Sequence, residues 1–126
     1  MPGYDGVHFD PPARVAVVSL CCAETGSRIE GVEMLLDSGA DVTLLPRAAV
    51  DQVGVSPIPG QECELMGFDG SRSSAKIAVL DMILVGKTFR GRYLVTDAPR
   101  GIIGRDVLNH LSIAMNGPAL EWSQLG

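Results

Sequence analysis

The apolar runs in this chain are short and glycine or proline recurs between them, a punctuation that suits strands and turns and not a long helix. Fifteen glycines and eight prolines punctuate 126 residues, a density that suits short strands joined by turns. An all-β domain is the expectation. Hydrophobic residues make up 46% of the chain and charged residues 20%, the balance of a sequence that folds around a core and not of a disordered tail. The length suits one domain and is too short for two separate cores.

Charge and composition remove several classes of function. The formal net charge is −5, and no basic stripe exists to neutralise a run of phosphates. Tyr4, Phe9, Phe68, Phe89, Tyr93 and Trp122 are scattered, so no stacking platform for single strands is evident. Nucleic acid is not an expected partner. No apolar stretch approaches the roughly 18–20 residues of a membrane helix, since Asp81 interrupts Ile77–Val85 and polar residues bracket Val15–Ala23. Val15–Ala23 after Arg14 imitates the core of a signal peptide, but the preceding segment carries Asp5 and Asp10 and only that one Arg. Cys21, Cys22 and Cys63 are odd in number and form no CxxC pair, which argues against a disulfide framework or a zinc knuckle. That cysteine usage makes a reducing cytoplasm the simplest location, and His8 and His110 stand alone, so no metal site is expected.

Residues 1–12 are rich in Gly, Pro and Asp and lack periodicity, which reads as a flexible N-terminal arm before a domain over 13–126. Ala13–Leu20 and Arg28–Leu36 form a first hairpin around Glu24–Ser27. Val42–Leu45 resumes an apolar strand, and Pro46 to Gly54 has proline at a helix start and glycine past its end, so a brief helix comes next. Glu62–Phe68 and Ser74–Leu80 flank Asp69-Gly70, a dipeptide suited to paired positive φ angles, and predict a projecting second hairpin. Asp81–Val85 and Thr88–Thr96 form a third around Gly86-Lys87; Ile102-Ile103 then leads into a helix over Gly104–Leu111. Ser112–Asn116 and Ala119–Ser123 close the chain around Gly117-Pro118.

Two familiar motifs fail. Gly86-Lys87-Thr88 ends like a phosphate loop, but Asp81 stands where its first glycine belongs and would repel the phosphate. Ser38 lies in Asp-Ser-Gly and not in a nucleophile elbow. The informative residue is Asp37, which comes directly after Leu35 and Leu36, where an unpaired carboxylate is costly to bury. Taken alone, Asp37-Ser38-Gly39 is most often a turn in which the Asp accepts backbone N–H bonds.

The context adds more. Leu35-Leu36-Asp37-Ser38-Gly39-Ala40 before an apolar strand, then Met66-Gly67-Phe68-Asp69-Gly70 in a hairpin, then Gly101-Ile102-Ile103-Gly104-Arg105-Asp106-Val107-Leu108, occur in one order over roughly Val15 to Trp122. This set resembles the retropepsin-like aspartic proteases. The resemblance implies a closed β-barrel with a flap hairpin and one or two short helices. It also implies a peptide or protein substrate, no cofactor, and one catalytic Asp per subunit. One Asp-Ser-Gly is present, while hydrolysis by a shared-proton pair needs two carboxylates, so the expectation is a C2 homodimer with Asp37 and its copy side by side.

On that resemblance Asp37 is catalytic, Ser38 bonds across the axis, and Gly39 lets a substrate backbone approach. Ala40, Asp41, Met66, Gly67, Phe68, Asp69, Gly70 and Ile103 are the substrate-binding set. Asp41 and Arg105 match the family's internal ion pair, and Asp106 has no catalytic role beyond offsetting a helix dipole. Leu120 and Trp122, read as one face of a strand, are placed at the dimer interface, with an intramolecular core position as the alternative for both. The C-terminal stretch Ile113–Trp122 and a flap tip poorer in glycine look more like cellular or bacterial relatives than viral ones. A competing expectation is a catalytically silent module of the same fold that binds a peptide or only dimerises. The sequence pI of about 4.8 puts the protein near zero net charge in the acid range that a shared-proton pair favours.

Overall fold

The computed structural model describes residues 3–67 and 69–125. Among the described residues ten strands and two short helices succeed one another as β1 (Gly3–Asp5), β2 (Ala13–Cys21), β3 (Arg28–Leu36), β4 (Leu44–Pro46), α1 (Arg47–Gln52), β5 (Glu62–Met66), β6 (Arg72–Leu84), β7 (Lys87–Thr96), β8 (Gly101–Ile103), α2 (Arg105–Leu108), β9 (Ile113–Asn116) and β10 (Glu121–Gln124). Eight strands form one sheet in the order β1-β2-β3-β8-β4-β7-β6-β5, and a further β2–β6 pairing closes it into a barrel. The all-β expectation holds.

Strand periodicity builds the barrel interior. Ala16, Val18 and Leu20 of β2, Val32, Met34 and Leu36 of β3, and Ala78, Leu80, Met82 and Leu84 of β6 are all buried, at alternate positions as the pleat requires. A register shift between Val18 and Leu20, opposite Gly31 at φ 76°, bends β2 so that Ser19–Cys21 also reaches β6. The turn between β6 and β7 has positive φ at both Val85 (47°) and Gly86 (79°), one residue earlier than the sequence implied, so Lys87 already pairs with Leu84.

Two expectations change. Ser74–Leu80 and Asp81–Val85 are not separate strands: β6 runs unbroken through Asp81, because Arg90 lies across the ladder and neutralises it. Arg90 Nε and Nη2 donate to Asp81 Oδ1 and Oδ2 at 2.8 and 3.0 Å. Regular structure also begins before Ala13, since Gly3–Asp5 pairs antiparallel with Ala13–Val15. Asp5 fixes the bend just after β1, accepting the N–H groups of Val7 and His8 at 2.9 and 3.0 Å, and Arg100 lies 5.2 Å over the Phe9 ring.

The site is positioned by a parallel pairing that links distant segments. β3 and β8 run side by side, Met34 to Leu36 against Gly101 to Ile103, and β8 is inserted between β3 and β4. This insertion demands glycine. A Cβ on Gly101 would sit 2.5 Å from the Leu44 carbonyl oxygen, and one on Gly104 would sit 2.6 Å from the Val42 carbonyl carbon. Neither neighbour can step aside, because both are backbone. Gly104→Ala is expected to lower stability by about 1–3 kcal/mol in a urea titration. Gly117→Ala, where the added carbon meets nothing within 4 Å, should stay within about 0.5 kcal/mol of the parent.

Arg90 holds the Asp81 carboxyl below its ordinary value, mainly through hydrogen bonding. A depressed carboxyl pKa gives stability that is present above the unfolded value and lost as pH falls through the folded one. Asp81→Asn should therefore lower the urea midpoint at pH 7 and flatten its decline between about pH 5 and pH 2. Parallel declines in parent and variant would exclude this contribution.

Candidate active site

Asp37 leaves the end of β3 on a loop that is tied down at each step. Its N–H donates to the Ile103 carbonyl at 3.0 Å, its own carbonyl accepts the Ala40 N–H at 3.2 Å, and the Arg105 N–H closes the loop on the Ala40 carbonyl at 2.8 Å. The Gly39 N–H donates to Asp37 Oδ1 at 2.9 Å. The side-chain turn that Asp37-Ser38-Gly39 suggests by itself is thus present. It also fixes the rotamer of a carboxylate that is only half-buried and faces a cleft.

That cleft has a volume of about 460 Å³ and lies between the loop and the β5–β6 hairpin. Its floor is Asp37, Gly39, Ala40, Asp41, Val42 and Leu44; its roof is Leu65, Met66, Gly67, Ser71 and Ser73. The roof is a regular ladder from Glu62 opposite Lys76 to Met66 opposite Arg72. At its tip the Gly67 N–H donates to the Ser71 carbonyl at 2.8 Å, and the Ser71 N–H donates to Asp69 Oδ1 at 2.9 Å. Ser71 holds the Asp69 carboxyl below its ordinary value, through its hydroxyl first and its N–H second.

Of the residues expected from sequence, Asp37, Gly39, Ala40, Asp41, Met66 and Gly67 come together around the cleft. Ser38 is exposed beside them. Asp69 and Gly70 occupy the hairpin tip without lining the cleft, and Phe68 lies outside the described residues. Ile103 requires correction as a substrate contact: its side chain is fully buried in the core, and it serves the site through the carbonyl that holds Asp37.

The Asp41–Arg105 pair also requires correction. Arg105 Nη1 donates to the Ser38 carbonyl at 2.9 Å, and no Asp41–Arg105 salt bridge forms among the described residues. The guanidinium satisfies loop backbone in place of a carboxylate. Trp122 takes the intramolecular alternative, being buried with its indole N–H donating to the Val15 carbonyl at 2.7 Å. Leu120 does not share its strand face; it sits exposed in the turn before β10 at φ 53°.

The sequence did not reveal the part played by Asp106. Its carboxylate accepts the Thr43 hydroxyl at 2.6 Å and the Thr43 N–H at 3.1 Å, while the Thr43 oxygen accepts the Gly104 N–H at 3.1 Å. Thr43 is buried, so this three-way clasp satisfies groups that would otherwise be costly inside the barrel. The one available signal was a threonine at an otherwise apolar strand position. Behind the clasp, burial pushes the Tyr93 hydroxyl up to about 12, with the charges of Asp106 and Asp81 adding to the effect.

A family model described as aspartyl protease matches residues 25–107, well over half of the chain, from the turn before β3 into α2. The chain belongs to the aspartyl protease family. Among solved structures it is similar to the EIAV protease complexed with the inhibitor HBY-793, at 23% sequence identity and a TM-score of 0.57, over 78% of this chain and 86% of that one. The fold of this aspartyl protease family member is accordingly the retropepsin-like one, with Asp37 on the loop and the β5–β6 hairpin as its roof.

Removing the clasp tests how the loop is held. Asp106→Ala leaves the buried Thr43 hydroxyl and N–H without their acceptor and is expected to cost about 1–3 kcal/mol by urea denaturation. Thr43→Val added to Asp106→Ala should cost clearly less than the sum of the two single changes, because the same bonds are lost only once. Strict additivity would show that the two residues act separately.

Proposed function

We propose that this protein is an aspartic endopeptidase that works as a C2 homodimer, each subunit supplying one Asp37. The observation that carries this reading is the single half-buried carboxylate held by Gly39 on the floor of a roofed cleft. Peptide hydrolysis without a covalent intermediate needs a base to take a proton from water and an acid to polarise the scissile carbonyl. Two like carboxylates a few ångströms apart supply both, since close charges make one of them keep its proton. Asp37 and its copy would divide these two roles between them, and neither alone is the base or the acid.

Asp37 borders more than the cleft. A second hollow of about 290 Å³ also includes Asp37, but its other walls are Tyr4, Pro12, Ala13, Arg14, Leu35 and Leu36. Substrate would lie as an extended strand between the loop and the β5–β6 hairpin, whose closure excludes water from the reacting bond.

Asp37→Asn keeps the volume and the acceptor for the Gly39 N–H but removes the titrating group. The variant should remain folded by circular dichroism and dimeric by sedimentation, yet cut a peptide library at least about 10³-fold more slowly. A folded dimeric variant that cleaves at the parent's rate contradicts the assignment. Tight peptide binding by the parent with no product in mass spectrometry would favour the non-hydrolytic module.

A further inference from the structure

The charge left on the cleft wall is one-sided. Asp37 and Asp41 are its charged lining groups, set beside Val42, Leu44, Leu65 and Met66. Two nearby cations are directed elsewhere: Arg105 to the Ser38 carbonyl at 2.9 Å and Arg72 to Glu64 at 3.2 Å. Asp41 itself is exposed and joins no salt bridge among the described residues. A carboxylate without a counter-ion, at the rim of an apolar slot in a chain of net charge −5, creates a negative local potential that favours a cation and rejects an acid.

We propose that Asp41 is a specificity residue and that the cleft selects extended peptides carrying Lys or Arg one or two residues from an aliphatic side chain. The aliphatic group fills the slot between Val42 and Leu44 below and Leu65 and Met66 above, while the ammonium or guanidinium reaches the Asp41 carboxylate. The hairpin roof removes part of the water that weakens such a pair on an open surface. Diversion of Arg105 to loop backbone is what leaves Asp41 available. This proposal rests on the endopeptidase reading only in taking a peptide as the cleft's occupant.

The test uses two synthetic fluorescein-labelled peptides that differ only in Lys against Gln beside a leucine. Binding is monitored by anisotropy on the Asp37→Asn protein, where turnover does not interfere. The Lys peptide should bind about fivefold more tightly at low salt, and the advantage should shrink as NaCl approaches about 0.5 M. Adding Asp41→Asn should abolish the difference, whereas Asp41→Glu should retain it. Equal binding of the two peptides, a preference that survives Asp41→Asn, or no binding of either peptide overturns the proposal. Digestion of both peptides by the parent separates the two readings. A Lys preference in binding without cleavage removes the endopeptidase and keeps Asp41 as the selector; cleavage without preference does the reverse.

Discussion

The site depends on two stretches of backbone, residues 37–43 and 101–105, lying closer together than any side chain would permit. Gly101 and Gly104 make that approach possible because the space their side chains would fill is already occupied by backbone of Val42 and Leu44. Once the strands are that close, hydrogen bonds cross at several levels. Asp37 is held by Ile103, Ala40 by Arg105, and Thr43 by both Gly104 and Asp106. Each bond fixes the next donor, so the loop behaves as a unit and Asp37 inherits its direction from the core.

Floor and roof are therefore built on different principles. The floor is secured by contacts between segments more than sixty residues apart, and the buried one between Gly104 and Thr43 opens only if the barrel loosens. The roof is a local hairpin whose outer strand, β5, is an edge of the sheet with β6 as its one partner. Local ladders with exposed edges open at lower free energy than the surrounding core. Such a pairing suits a cleft that must admit a long ligand and still present one carboxylate without reorganising it.

The legible parts of this chain were those governed by local chemistry. Asp69-Gly70 marked the roof hairpin, Pro46 and Gly54 bracketed α1, and the cost of an acid after two leucines singled out Asp37. Pairings set by distant strands were not legible. The parallel match of β3 with β8 leaves no period in the sequence, and it decides that Ile103 points into the core while its carbonyl faces Asp37. Arg105 has both an acid and a carbonyl within plausible reach in a linear motif, and only the folded loop shows that the Ser38 carbonyl takes it. Asp81 was read as an interruption because its neutralising partner, Arg90, lies across a hairpin and not beside it. Trp122 could serve an interface or a core, and a single hydrogen bond to Val15 decides for the core.

The central claim is that a working centre contains one Asp37 from each of two chains, and subunit mixing tests it most directly. Parent and Asp37→Asn protein are combined in equal amounts, allowed to exchange, and assayed on a peptide at fixed total concentration. If both carboxylates are required and exchange is random, only pairs of parent chains are active, and activity falls to about a quarter of that of the parent alone. A fall to about a half, the share expected of chains that each act alone, would contradict the account.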